Sequence, residues 1–274
     1  MKIDITLNFM PEYIDFVSIT NKISYSEATK LIKLGSDSFN QGFSGASFRN
    51  YTEFFGEVFS FMQNDSEDQV HETYKFHAPM DFLRMLSYPI CVSHRDLELM
   101  KQFTDYLSSL EDRNNITVVD YGCGLAQLTI SICNILKEDY NLSPKLVLMD
   151  IDRKIHKEFL FFLTKKYNIE CQWINITKNN PFPRIPNFDY IQVKDTFEHI
   201  YHPEVLVDNI NNSIKKHGIL VGTVADEREE FMHATPNLSK VRKRLEKHGF
   251  KNVGESWYNR CTLFQKYDEK NLKI

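Results

Sequence analysis

The 274 residues are 42% hydrophobic and 26% charged, with a net charge of -4. That balance is ordinary for a globular chain and excludes a disordered one. It also lacks the global basic field on which sequence-independent nucleic-acid binding relies, so no nucleic-acid partner is expected.

The charges of Met1–Thr6 are followed by no apolar signal core, and the greasiest run, Phe159–Leu163, is too short to cross a bilayer. No membrane span is expected. The cysteines Cys91, Cys123, Cys133, Cys171 and Cys261 are odd in number and contain no C-x-x-C pair. They read as reduced thiols in a cytoplasmic protein, not as a disulfide frame or a zinc site.

In chain order, Lys2–Asn8 alternates like a strand, and Ser24–Leu34 reads as a helix capped by Ser24 or Ser26. Gln41–Ser47 reads as a turn. Phe48–Met62 and His71–Leu86 are rich in aromatic residues at helical spacing, with the polar break Asn64–Asp68 between them. Residues 1–92 therefore predict a mostly helical extension or lid, and residues 93–274 the main domain. Ser93–Leu110 carries one apolar stripe (Leu97, Met100, Phe103, Leu107, Leu110) behind a capping-box-like Ser93/Asp96 pair.

From Ile116 strands and helices alternate. Strands are predicted over Ile116–Tyr121, Lys145–Asp150, Glu170–Ile174, Phe188–Val193 and Ile219–Val224. Helices are predicted over Leu125–Lys137, Arg153–Tyr167, Pro203–Lys215 and Leu238–His248, the last ended by Gly249. In the first helix Leu128, Ile132, Ile135 and Leu136 are expected to face inward; the third carries Val205, Leu206, Val207 and Ile210. Asn252–Tyr258 and Arg260–Lys266 read as a closing strand pair. The alternation predicts an α/β fold with a doubly wound, mainly parallel, seven-stranded Rossmann-like sheet and an antiparallel edge.

The chemistry centres on Val118-Val119-Asp120-Tyr121-Gly122-Cys123-Gly124, a strand running into a glycine turn and then a helix. Such a turn brings backbone close to a ligand at the carboxyl end of a sheet. A dinucleotide fingerprint would need a third glycine at Gln127, and Asp120 would repel a pyrophosphate. The acid instead suits a ligand with a positive amino group. Asp150, at the tip of the second strand, is placed to accept from a ribose diol, with Asp152 as an alternative helix cap.

Four blocks now stand in order: Val118–Gly124; Leu148-Met149-Asp150; Phe188–Ile200; and Ile214–Val221. Together, over roughly residues 93–266, they resemble the class I S-adenosylmethionine-dependent methyltransferases of the small-molecule branch. The resemblance implies S-adenosylmethionine as cofactor. Asp120, Tyr121, Gly122, Cys123 and Gly124 would hold its methionine end, and Asp150 its ribose. Ile151, Asn175 and Ile176 would line the adenine, and Asp195, Thr196 and Phe197 would floor the pocket near the sulfonium. The chain departs from the family pattern at Ala126, where many members have a third glycine. Lys216-His217-Gly218 stands for the common Pro-Gly-Gly, and Asn175 for a commoner Asp.

The resemblance implies methyl transfer to an O or N atom of a small-molecule acceptor such as a sugar, lipid precursor or secondary metabolite. The alternatives are a protein methyltransferase and a non-catalytic cofactor-binding subunit; a homodimer is left open. An oxygen acceptor benefits from a general base, and His199, His202 and His233 all follow strands at the right edge, His199 foremost. In ubiquinone-biosynthesis O-methyltransferases an acid-x-x-Glu-His run similar to Asp195/Glu198/His199 binds a divalent metal. That is the weaker alternative here, and no residue is assigned as a metal ligand.

Overall fold

The structure is a computed structural model that describes residues 5–7, 9–33, 90–92, 104, 106–107, 116–226, 233–257 and 261–266. The chain divides into two compact units, Asn8–Pro89 on one hand and Met1–Leu7 with Ile90–Ile274 on the other.

The Asn8–Pro89 unit begins with α1 (Met10–Asn21), which has Pro11 in its first turn and closes on Lys22 in the left-handed region. The sequence reading made no assignment here. Ile14, Phe16, Val17 and Ile19 do not fall on one clear face, so periodicity is silent. The next helix, α2 (residues 25–33), starts with a reciprocal cap. The backbone N–H of Ser24 donates to the Glu27 carboxylate at 2.9 Å, and the Glu27 N–H donates to Ser24 Oγ at 3.2 Å. Ser24 and not Ser26 is therefore the cap. The expectations for Gln41–Ser47, Phe48–Met62 and His71–Leu86 lie outside the described residues. So does most of Ser93–Leu110, of which Thr104, Tyr106 and Leu107 are helical and Leu107 is fully buried.

In the larger unit, β1 (Ile5–Leu7) pairs antiparallel with β2 (Ile90–Val92). The main sheet is built from β3 (Thr117–Tyr121), α3 (Gln127–Glu138), β4 (Lys145–Ile151), α4 (Lys154–Lys166) and β5 (Glu170–Ile176). It continues through β6 (Phe188–Val193), a single 3-10 turn at Phe197–His199, α5 (Pro203–Ser213) and β7 (Ile214–Thr223). It closes with α6 (Ser239–Lys247), β8 (Phe250–Trp257) and β9 (Cys261–Lys266).

The strand order is β5-β4-β3-β6-β7-β9-β8. The first five are parallel, while β9 runs antiparallel to both β7 and β8. This is the predicted seven-stranded sheet with its antiparallel edge. Chain order departs in opposite directions from β3 and β6, so a crevice opens between their carboxyl ends. Val118, Val119, Leu146, Val147, Leu148, Met149, Tyr190 and Ile191 are fully buried, as expected of parallel strands covered on both faces.

Two local readings need correction. Of the inward residues expected in α3, Leu128, Ile132 and Leu136 are buried and Ile135 only partly so. Helix α5 ends at Ser213, and Ile214 already enters β7 in extended conformation, five residues before the predicted start. The pairing with β6 slips between Phe188 and Tyr190 to absorb Lys215–Gly218, where His217 takes a left-handed φ of 63°. The carbonyl of His217 is held there by the Tyr106 hydroxyl and by Gln265 Nε2.

Helices α5 and α6 are joined by Asp208. It accepts from Arg244 Nε and Nη2 at 2.6 and 2.5 Å and lies 2.6 Å from His248 Nε2. The Arg244 fork holds the Asp208 carboxyl low, at about 2. Among the described residues no helix is long and apolar enough to cross a membrane.

Candidate functional site

The site grows from the turn after β3. Strand β3 delivers the chain to Gly122, whose N–H donates to the Met149 carbonyl at 2.8 Å, followed by the N–H of Cys123 at 3.3 Å. The turn is thereby sewn to the neighbouring strand β4. Gly122 has φ +70°, and a Cβ built on it would lie 2.4 Å from Thr196 Oγ1. The glycine is thus required twice, by its backbone conformation and by the loop after β6 that packs onto it. Thr196 Oγ1 in turn donates to the Lys194 carbonyl at 2.7 Å.

Gly124 is also left-handed, and Ala126 adopts φ 47°. An L-residue in that region costs roughly 1–2 kcal/mol, and such strain is commonly held where a site needs it. Helix α3 starts at the next residue. Gln127 is 6% exposed and its amide Nε2 has no hydrogen-bond partner.

The acids stand around this turn. Asp120 is 1% exposed. It accepts from Thr129 Oγ1 at 2.5 Å and from Gln192 Nε2 at 3.4 Å. Burial raises its pKa to about 7, against the Thr129 hydrogen bond. Asp150 is likewise buried, and its carboxylate is wired into the turn. Its Oδ2 accepts from the Gly124 N–H at 2.8 Å and from Arg153 Nη2 at 2.7 Å, and its Oδ1 from the Ile151 N–H at 2.7 Å. Arg153 is itself only 6% exposed, so this is an interior ion pair. The glycine turn and the acid of the second strand are therefore one structure.

The other predicted residues divide. Tyr121 lends only its backbone to the turn: its hydroxyl donates to the Pro181 carbonyl at 2.7 Å, and its ring is buried in the core. Cys123 is buried, with Sγ 3.8 Å from Asp150 Oδ2, and burial pushes its thiol pKa well up. Asn175 and Ile176 pair in register with Asp150 and Ile151. The Asn175 amide oxygen accepts from Trp173 Nε1 at 2.5 Å.

Asp195 sits at the tip of β6 with φ 45° and is gripped by Thr223. Thr223 Oγ1 donates to the Asp195 carboxylate at 2.9 Å and lies 3.1 Å from the Asp195 N–H. The second carboxylate oxygen pairs with Lys194. Phe197 is fully buried core, against which a Cβ on Gly222 would stand at 3.3 Å.

Past Thr196 the single 3-10 turn brings Glu198 and His199 to the same edge. Glu198 is 3% exposed and its Oε1 lies 3.9 Å from His199 Nε2. The His199 and His233 rings meet edge to face with centroids 5.0 Å apart. Thr235 pins the segment of His233 there. Its N–H donates to the Glu198 carbonyl at 2.9 Å and its hydroxyl to the Ile200 carbonyl at 2.7 Å. His202 stands apart, with a 70% exposed side chain 3.7 Å from Glu204.

Sequence reasoning did not find Thr129, Gln127, Gln192 or Arg153 as parts of the site. A signal existed for Thr129 and Gln127: both are polar residues in the first turn of α3, among the apolar residues of its buried side. None existed for Gln192, whose partner Asp120 comes from the pairing of β6 with β3, while Arg153 lies three residues from its partner Asp150.

The donors and acceptors fit the cofactor that the resemblance implies. A buried acid at Asp120 suits an amino group, the Gln127 amide and the N-terminus of α3 suit a carboxylate, and Asp150 suits a diol. Substituting Gly122→Ala is expected to drive Thr196 away and weaken cofactor binding at least tenfold in calorimetric titration. Adding Thr196→Ala should recover part of that loss. Equal affinity of Gly122→Ala and wild type would show that the close approach to Thr196 is irrelevant to the site.

The profile of a family described as "Methyltransferase domain" matches residues 92–273. No curated protein sequence matches the chain. Among solved structures it resembles precorrin-6y C5,15-methyltransferase from Geobacter metallireducens, with 16% identity, 61% of this chain and 88% of that one covered, and a TM-score of 0.41. It also resembles magnesium protoporphyrin IX methyltransferase from Synechocystis with bound cofactor, at 14% identity, 62% and 79% coverage and a TM-score of 0.43. An O-methyltransferase family 2 protein from Planctomyces limnophilus in complex with apigenin gives 13% identity, 75% and 67% coverage and a TM-score of 0.45. At these identities the likeness is one of fold.

Proposed function

This chain belongs to the methyltransferase-domain family and is an S-adenosylmethionine-dependent methyltransferase, and on that premise we propose that it methylates an oxygen or nitrogen atom of a small acceptor. A sugar, a lipid precursor or a secondary metabolite is the kind of acceptor meant. The cofactor, when bound, supplies an already activated methyl group, so the protein's share is alignment and exclusion of water.

In this reading Asp120 accepts from the amino group of the cofactor, the Gln127 amide donates to its carboxylate, and Asp150 accepts from its ribose. Gly122, Cys123 and Gly124 give it backbone, Ile151, Asn175 and Ile176 border the adenine, and Asp195, Thr196 and Phe197 form the floor.

The observation that carries the choice of acceptor atom is the cluster of Glu198, His199 and His233. An O–H or N–H acceptor must shed a proton, and an imidazole beside a buried carboxylate is suited to receive it near neutral pH. His199, facing Glu198, is the first such group in the metal-free protein and His233 the second; His202, exposed and apart, is third. The free thiols of Cys123, Cys133, Cys171 and Cys261 support a reducing, cytoplasmic setting.

The test is mass spectrometry of molecules that co-purify with the protein. Fractionated metabolites are then incubated with deuteromethyl-labelled cofactor. A small product carrying the label on O or N, with stoichiometric S-adenosylhomocysteine, is expected. Label appearing only on carbon or only on polypeptide would overturn the reading. Cofactor binding without any release of S-adenosylhomocysteine would point to a non-catalytic subunit.

A further inference from the structure

The Asp195/Glu198/His199 set suggested by sequence does not assemble. Asp195 is turned to Thr223 and Lys194 on its left-handed backbone. A different third group completes a constellation. Glu198, His199 and His233 each present one ligand atom, and the three lie within 4.8 Å of one another.

We propose that Glu198, His199 and His233 form a binding site for a nitrogen-preferring divalent transition metal, zinc or cobalt in class, at the acceptor side of the methyl-transfer pocket. The site rests on the acceptor reading above; with the ion bound, His199 and His233 are ligands and the ion takes over the part of the imidazole base.

Three features support a built site. Its carboxylate is nearly inaccessible, 3% exposed, so a ligand oxygen there is shielded from bulk water. The two imidazoles come from separate connections, one after β6 and one after β7, and Thr235 fastens these together through the Glu198 and Ile200 carbonyls. The pair Glu198 Oε1 and His199 Nε2 stands 3.9 Å apart. Ligands at about 2.0–2.2 Å from a tetrahedral ion stand roughly 3.3–3.5 Å from each other, a contraction within reach of side-chain rotation.

The ligand types select the ion. Magnesium and calcium prefer oxygen shells, whereas two imidazoles and one carboxylate match zinc, cobalt or iron(II). Three protein ligands leave a position open, as catalytic centres require. Thr196, two residues before Glu198, is the residue that packs on Gly122 of the glycine turn. The open position thus lies on the same sheet edge as the cofactor's proposed site. A hydroxyl or amine held there would have its pKa lowered by the ion, and its proton would pass to water.

The experiment strips the full chain of metal and titrates it with zinc or cobalt in a calorimeter, following visible cobalt d–d bands in parallel. Wild type is expected to bind one equivalent at micromolar or tighter affinity with an intense low-symmetry cobalt spectrum. Glu198→Gln and His233→Asn should each bind at least 100-fold more weakly. Asp195→Asn should bind like wild type. Thermal unfolding of each metal-free variant confirms that it is folded, and either variant alone suffices if the other is not. No binding to wild type, or equal binding by Glu198→Gln or His233→Asn, overturns the proposal. So does loss of binding in Asp195→Asn. Cofactor titration of the metal-free chain is read separately, so failure of the methyltransferase reading would show as lost cofactor heat with the metal signal intact.

Discussion

Asp150→Asn is expected to weaken S-adenosylmethionine binding about 100-fold and to destabilise the fold by about 3–5 kcal/mol. Both effects follow from one carboxylate with two duties. Hydrogen bonds to an ionised acceptor contribute about 1.5–3 kcal/mol each, and the proposed ribose contact loses that charge. Meanwhile Arg153, 6% exposed and 2.7 Å from Asp150, becomes a buried cation without its counter-ion. Removing one partner of a buried pair costs far more than removing both, on the order of 3–5 kcal/mol.

The double variant Asp150→Asn/Arg153→Met should therefore regain most of the stability and none of the affinity. Calorimetric titration and urea unfolding of wild type and the two variants separate the duties. Should Asp150→Asn bind the cofactor as wild type does, the ribose assignment is wrong whatever happens to stability.

Asp120→Asn is expected to stabilise the protein above neutral pH while abolishing measurable cofactor binding. Burial raises the Asp120 pKa from 3.8 to about 7, with Asp150 adding to the rise and Thr129 and Lys194 opposing it. Between those two values the folded chain keeps a proton that the unfolded chain has released. Stability is then greatest below the unfolded pKa and falls as pH rises through the folded one. The full shift corresponds to about 4 kcal/mol at 1.36 kcal/mol per unit.

Asparagine keeps the shape and the contacts of Thr129 and Gln192 without the penalty. Unfolding free energies measured from pH 4 to 8 should diverge, wild type losing ground to the variant on the alkaline side. Parallel curves would mean that Asp120 titrates normally. The loss of cofactor has the opposite sign: a charge that is costly in the empty site is what a cationic amino group would neutralise. Asp120 thus exchanges stability for binding, as functional acids in apolar surroundings commonly do.

Much of this was readable in advance because it is local. The β-branched run Val118–Val119, the glycines after it and the apolar stripe of α3 are periodic signals, and periodicity survives without knowledge of neighbours. Asp120 and Asp150 could be singled out because each stands at or next to the last residue of a legible strand. The limits of elements were less secure. The residues Lys215–Gly218 look like a helix end by composition, but they are absorbed by a register slip that only the pairing of β6 with β7 dictates. Helix α1 was missed because its apolar residues are spread around its axis, so it carries no clear period.

The glycine turn shows where the division lies. Its sequence alone determined that a strand, a tight turn and a helix start would follow one another, and that an acid rather than a third glycine would characterise the ligand. Local sterics and hydrophobic period suffice for that. Only the tertiary structure decided who faces the turn: Thr196 against Gly122, Thr129 and Gln192 on Asp120, Arg153 on Asp150, and His233 rather than Asp195 beside Glu198. Gln192 lies on a neighbouring strand, Thr129 on the following helix, and Thr196, Arg153 and His233 on connections at the sheet's edge. They meet because strand order and left-handed backbone at Ala126 and Asp195 orient them, and neither is encoded in any short stretch of residues.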